Sequence, residues 1–169
     1  QESRGADSRG RPTYLHLQES RWWLGKTPQR PPKNQSRQTL INPPGTEFIY
    51  NTLQFSQAVR VANTVWVSGQ VGMDEKGAVG ETIEEQAQMA FQNLKHVLAE
   101  SGASMDDIVE LVTYHTDMKD LKAVGKVKSE FITKNFPAMT TVGVTELVLP
   151  QLKLEIRAVA VVGSGNNYN

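Results

Sequence analysis

Residues 136–162, FPAMTTVGVTELVLPQLKLEIRAVAVV, decide the fold. They read as two strands joined through a turn at Pro150. In the second strand Leu154, Ile156 and Ala158 share one face, and Glu155 and Arg157 the other. In the first, Met139, Thr141, Gly143 and Thr145 alternate with Val142 and Val144. A sheet with an apolar back and a mixed front packs helices behind it and keeps the front for solvent, a partner or a ligand. Glu155 is the carboxylate flanked by apolar residues on an expected central strand. It is therefore the chemical centre of this reading.

Upstream, the strongest signal is a helix opened by Thr82-Ile-Glu-Glu85, a capping box in which the Thr hydroxyl and Glu85 each satisfy an orphan amide. Ile83, Ala87, Ala90, Phe91, Leu94, Val97 and Leu98 keep the 3.6 period, and Gly102 suits the C-terminal end. Residues 56–61 and 64–71 flank Ala62-Asn63 and read as a hairpin. Residues 48–50 are expected as a short edge strand after the turn cluster at 41–45. Residues 108–116 are β-branched enough for a strand. A second helix is expected over 117–134, with Leu121, Val124, Val127 and Phe131 inward. The order β-β-α-β-α-β-β places both helices on one face of a single mixed sheet, an α+β fold.

The chain has 169 residues, so one domain is the expectation. Residues 1–35 carry seven Arg/Lys and three Asp/Glu, a surplus of +4. The remainder then holds eleven (18−7) against fifteen (18−3), a net of −4. An acidic body argues against a phosphate-binding surface, so no nucleic acid is expected. With Pro, Gly and Arg and little hydrophobicity, residues 1–35 read as a disordered or non-native leader, with a targeting or RNA-contacting arm as the alternative. Residues 36–162 form the expected domain and 163–169 a flexible tail. The absence of cysteine excludes disulfides and thiolate chemistry. No apolar run is long enough to span a membrane, and a cytoplasmic protein is expected.

No metal site is expected, because His16, His96 and His115 lack ligand spacing. No cofactor is expected either: Ser68-Gly69-Gln70 lacks the lysine and spacing of a phosphate loop. For Glu155 two readings stand. Partial desolvation would raise its pKa toward acid/base use, or Arg157, two residues on and on the same face, would pair with it.

Ser68-Gly-Gln70, the capped helix with Gln86 and Asn93-Leu94, Thr116-Asp117, Phe136-Pro137-Ala138 and Leu154-Glu-Ile-x-Ala158 together resemble the YjgF/Rid family, related to the liver perchloric-acid-soluble proteins. The likeness runs from about residue 40 to 162. It implies a chorismate-mutase-like fold and a homotrimer whose sheets form a central barrel with ligand pockets between subunits. It also implies hydrolysis of enamine or imine intermediates. In that family an arginine after the Pro-Ala dipeptide clamps the substrate carboxylate, and a glutamate on the last strand helps to activate water. The glutamate maps to Glu155, the Ser-Gly pair to Ser68 and Gly69, and the residues after the arginine to Thr140 and Thr141. Three positions depart from the pattern: Met139 stands where the arginine is expected, Phe55 where a tyrosine is, and Gly125 where a helix asparagine is. Losing a charge-assisted bond of roughly 1.5–3 kcal/mol disfavours the usual imino acids and favours a more apolar or uncharged ligand. The expectation is an arginine-lacking family member acting on another imine or enamine. Glu155 is the acid/base, Met139, Phe55 and Thr141 shape the site, and Arg157 partly compensates. A non-catalytic trimer that binds a small molecule or a partner is the alternative, and a ribonuclease or translation inhibitor the weaker one.

Overall fold

The computed structural model describes residues 37–166. The expected leader, residues 1–35, therefore lies outside the described residues. Six strands form one sheet: β1 (Thr39–Ile41), β2 (Ala58–Val61), β3 (Thr64–Val71), β4 (Ile108–His115), β5 (Ala138–Gly143) and β6 (Leu154–Val161), in the order β1-β2-β3-β6-β4-β5. All neighbours are antiparallel except β4 and β5, which run parallel. The two strands of the 136–162 stretch are thus not partners. The crossover through 144–153 inserts β4 between them, and β5 becomes the edge.

Two helices, α1 (Ile83–Glu100) and α2 (Leu121–Phe131), cover one face. The capping box of α1 is formed as the sequence requires: Thr82 Oγ1 accepts from the Glu85 N–H, and Glu85 accepts from the Thr82 N–H. The apolar stripe of α1 (Phe91, Leu94, Leu98) packs with Leu154, Ile156 and Ala158 of β6 in one core. Phe91 also stacks on Phe131 of α2 at 5.5 Å. Both helices lie on the Leu154 side, so Glu155 and Arg157 face away from them. The alternation along β6 is complete, each odd position half-buried and each even one buried.

Three expectations are corrected. Residues 48–50 are not an edge strand. Ile49–Leu53 is a π-helical turn, and the edge strand lies earlier, at Thr39–Ile41, paired with β2. The Pro-Pro-Gly cluster closes into a turn held by Thr46 N–H to Pro43 O at 3.0 Å, and this turn leads straight into the helical segment. The second helix is shorter than 117–134: Asp117 accepts from the Lys119 N–H and caps a separate 3-10 turn at Met118–Asp120. At its far end Ile132 leaves the helical region and Asn135 takes a positive φ of 50°. Arg157, finally, does not pair with Glu155. Its guanidinium lies 3.6 Å from Glu110 on β4. A bulge in the β4–β6 pairing between Ile108 and Glu110 brings that carboxylate to the Arg157 side.

At the other end of the domain, Ser164–Asn166 forms a 3-10 turn. Gly165 N–H donates to Asp107 Oδ1 at 2.9 Å, and Asn135 Nδ2 donates to Gly165 O at 3.0 Å. Residues 167–169 lie outside the described residues.

Candidate functional site

Glu155 stands at the start of β6, opposite Tyr114 of β4 and Val71 of β3. Between Val67 and Gln70 the β3–β6 register shifts, so Ser68 and Gly69 form a bulge beside it. The carboxylate lies directly on the Gly69 backbone: a Cβ built there would overlap Glu155 Oε1. Glycine leaves the room that the carboxylate occupies here, and a side chain would displace it. Ser68 donates through Oγ to Ser56 O at 2.7 Å and through N–H to Gln57 O at 2.9 Å. The buried Gln70 and Gln57 amides join at 2.9 Å. These bonds tie Ser56 and Gln57 to the bulge, and exposed Phe55 directly precedes them in the chain.

Among the described residues no cation pairs with Glu155, and burial raises its pKa above the ordinary carboxylate value. A half-buried acid with a raised pKa and no counter-ion is suited to exchanging protons with a water or a ligand. Gly69→Ala tests this geometry: the methyl displaces only the flexible end of a glutamate. The variant is expected to melt within about 1 kcal/mol of the parent and to lose the raised Glu155 pKa, read by carboxyl NMR titration. An unshifted titration would show that the carboxylate does not rest on the bulge.

The remaining candidates divide between the two faces of the sheet. The pairs Arg157↔Val112 and Val112↔Thr140 form one row across the front. Thr140 and Arg157 therefore share the face of Glu155. The pairs Ile156↔Thr113 and Thr113↔Thr141 form a row across the back. Thr113 Oγ1 lies 3.2 Å from Thr141 Oγ1, which fixes Thr141 on the helix side. Met139 is on that side too, with Lys128 Nζ of α2 at 3.5 Å from its sulfur. Within one copy of the chain, Glu155 and the pair Met139 and Thr141 are thus separated by the thickness of the sheet.

Two features here are invisible in sequence. One is Lys128, a cation placed by α2 against the Met139 sulfur. Periodicity marks Lys128 only as an outward helix position, and the contact joins it to a residue eleven positions on, on another element. The other is His115, fully buried on the back face, whose Nε2 lies 3.0 Å from Thr113 Oγ1. Burial lowers its pKa, partly opposed by the charge of Asp120. The space beside Gly125 is open, with nothing near a Cβ built there.

A cleft of about 1060 Å³ lies elsewhere, under the 144–153 crossover between Gly80, Glu81, Val148, Pro150 and Lys153. None of the candidate site residues lines it, and Lys153 spends its ammonium on Glu81 O at 3.0 Å. Among the described residues no group of His, Asp or Glu side chains is placed to hold a metal ion. No helix among them is long and apolar enough to cross a membrane.

The model of the family described as Endoribonuclease L-PSP matches residues 47–162, from the helical turn before β2 to the end of β6. The chain belongs to this family. The 2-iminobutanoate/2-iminopropanoate deaminase of Dermatophagoides farinae is 41% identical over 110 residues, covering 64% of this chain and 85% of the relative. A solved structure from Mycobacterium tuberculosis, described as a member of the YjgF/YER057c/UK114 family, aligns with a TM-score of 0.65 at 31% identity. It covers 75% of this chain and 100% of that one. The mitochondrial protein Mmf1 of Saccharomyces cerevisiae is 38% identical over 109 residues, 63% of this chain and 74% of the relative. The yeast Mmf1 crystal structure gives a TM-score of 0.66 at 32% identity, over 74% and 98% of the two chains. The YjgF/Rid membership and the mixed α+β sheet read from residues 40–162 are thereby established, and the L-PSP match spans the bulge, the capped helix and β6 alike.

Proposed function

We propose that this L-PSP family protein hydrolyses a reactive enamine or imine other than the usual 2-imino acids, in a pocket between two copies of the chain. The observation that carries this reading is the Glu155 carboxyl, unpaired, with its pKa raised by burial, seated on Gly69. Glu155 takes a proton from water as the water oxygen adds to the C=N carbon. It gives that proton to nitrogen, forming a carbinolamine, then takes the new hydroxyl proton and passes it to nitrogen as the C–N bond breaks, giving a carbonyl compound and ammonia. A relative's name as an iminobutanoate and iminopropanoate deaminase supports the reaction class.

A site shared between copies, in a homotrimer, follows from the two-faced placement. Glu155, Thr140 and Arg157 of one copy meet Met139 and Thr141 only if those come from another. Trp66, 45% exposed on the helix-free face, supports that face as the surface a second copy covers. Ser68, in the bulge, and Phe55, which directly precedes Ser56, complete the proposed ligand contacts. A cytoplasmic location goes with this reading, although the yeast relative is named as mitochondrial. Imaging of the tagged full chain decides between the two compartments.

Lys128 favours a second reading, in which its ammonium replaces the missing guanidinium and the ligand is a carboxylate after all. Semicarbazide trapping of 2-iminopropanoate turnover separates the two. On the first reading wild type is weak and Met139→Arg gains about 10- to 100-fold in kcat/KM, the worth of one charge-assisted bond. On the second, wild type is already active, Met139→Arg adds little, and Lys128→Met lowers kcat/KM by a similar factor. Ligand binding without turnover of any imine would leave a non-catalytic binding trimer. The ribonuclease reading suggested by the family's description is disfavoured by the net −4 outside residues 1–35.

A further inference from the structure

On the back face, His115, Thr113 and Thr141 form a hydrogen-bonded chain that runs from the buried core to the edge strand: Nε2 to Oγ1 at 3.0 Å, then Oγ1 to Oγ1 at 3.2 Å. His115 and Thr113 are both fully buried, whereas Thr141 is half-buried on β5. Among the described residues, His115 Nδ1 has no hydrogen-bond partner. A neutral imidazole carries one N–H, on either nitrogen. An N–H on Nδ1 would strand a buried donor, whereas an N–H on Nε2 strands only a lone pair. Orphaned buried donors are the rarer of the two.

We propose that His115 is a positioning residue which, through Thr113, makes the Thr141 hydroxyl a hydrogen-bond donor to the ligand, so that the ligand presents an acceptor oxygen at the edge of β5. With Nε2–H donating to Thr113 Oγ1, the Thr113 proton goes to its other hydrogen-bond partner among the described residues, Thr141 Oγ1. Thr141 Oγ1 accepts that proton and turns its own O–H outward. The reverse tautomer would run the chain backwards: Thr141 would donate inward and offer the ligand only a lone pair. Two buried side chains therefore select between oxygen and N–H groups on the ligand. A carbonyl or carboxylate oxygen fits, and an amino group does not. This rests on the reading above that Thr141 lines the site, but the tautomer is a property of the resting protein.

Two measurements test it. Imidazole nitrogen chemical shifts of the wild-type protein are expected to show a protonated Nε2 and an unprotonated Nδ1 on His115. The reverse pattern overturns the proposal whatever the protein's activity. Titration with pyruvate and with its uncharged amide, pyruvamide, then reads the consequence. For whichever binds, Thr141→Val is expected to weaken Kd about two- to tenfold, with Thr141→Ser close to wild type. Thr113→Val and His115→Phe are expected to weaken it in the same range. Combined with Thr141→Val, each adds nothing further, because all three act through one hydroxyl. Additive losses, binding indifferent to Thr141→Val, or no binding of either probe would each overturn the proposal. If His115→Phe does not fold, the Thr113→Val cycle and the nitrogen shifts still decide. Loss of deaminase activity with the expected tautomer and binding pattern intact would count against the hydrolase reading alone.

Discussion

Glu155→Gln is expected to abolish the proposed imine hydrolysis and, at neutral pH, to raise the melting temperature. Both effects have one cause. Burial lifts the Glu155 pKa above its unfolded value, so the folded protein holds that proton more tightly than the unfolded chain does. As pH rises from the ordinary glutamate pKa to the raised one, the unfolded state ionises first and stability falls. Above the folded pKa the loss is complete. Glutamine keeps the shape and removes the ionisation, so the variant gains on wild type at neutral pH and the two converge in acid. Thermal melts across that range, beside the trapping assay, check both halves. A variant that melts lower than wild type at neutral pH would show that the carboxylate is held by a favourable partner. Unchanged turnover would remove Glu155 from the chemistry.

Gln86→Leu is expected to lose at least about 3 kcal/mol of stability. Its amide is fully buried and completely used: Nε2 donates to Gly80 O at 2.8 Å and to Gln151 O at 2.9 Å. Oε1 accepts from the Lys153 N–H at 2.7 Å. One side chain on α1 thereby holds the loop after β3 and the last residues of the crossover that delivers β6. Leucine fills the volume but leaves three backbone groups without partners, each worth about 1–3 kcal/mol. The backbone of Gly72 packs against Gln86 so closely that a Cβ there would overlap it, which prevents the loop from shifting to find new partners. Denaturant unfolding measures the loss. A change under about 1 kcal/mol, the lower bound for a single orphaned group, would mean that the crossover is held by something else. Because β6 begins directly after Lys153, Glu155 is expected to lose its raised pKa in the same variant.

The elements read most surely from sequence were those whose signal is local. The capping box at Thr82, the 3.6 period through Leu98 and the alternation at 154–158 each depend on neighbours within one or two turns, and each formed as written. The Ser68-Gly69 pair was legible as a motif, and its reason is the bulge that seats the Glu155 carboxylate. The edge strand was misplaced because residues 48–50 are apolar enough for a strand. The Pro-Pro-Gly turn, however, starts a helical segment there, and it is Thr39–Ile41 that meets β2. The expected Glu155–Arg157 pair failed for a long-range reason as well. A bulge in β4 offers Arg157 another carboxylate, Glu110, 3.6 Å away.

By itself the sequence determined that this chain makes a helix-backed sheet with one carboxylate on the bare face of its last strand, because periodicity and capping are properties of adjacent residues. The tertiary structure alone decided which residues that carboxylate could work with. Inserting β4 between β5 and β6 puts Met139 and Thr141 on the opposite face from Glu155, beside Lys128 and the His115 chain. No local pattern encodes that division, since it arises from the order in which distant strands pair.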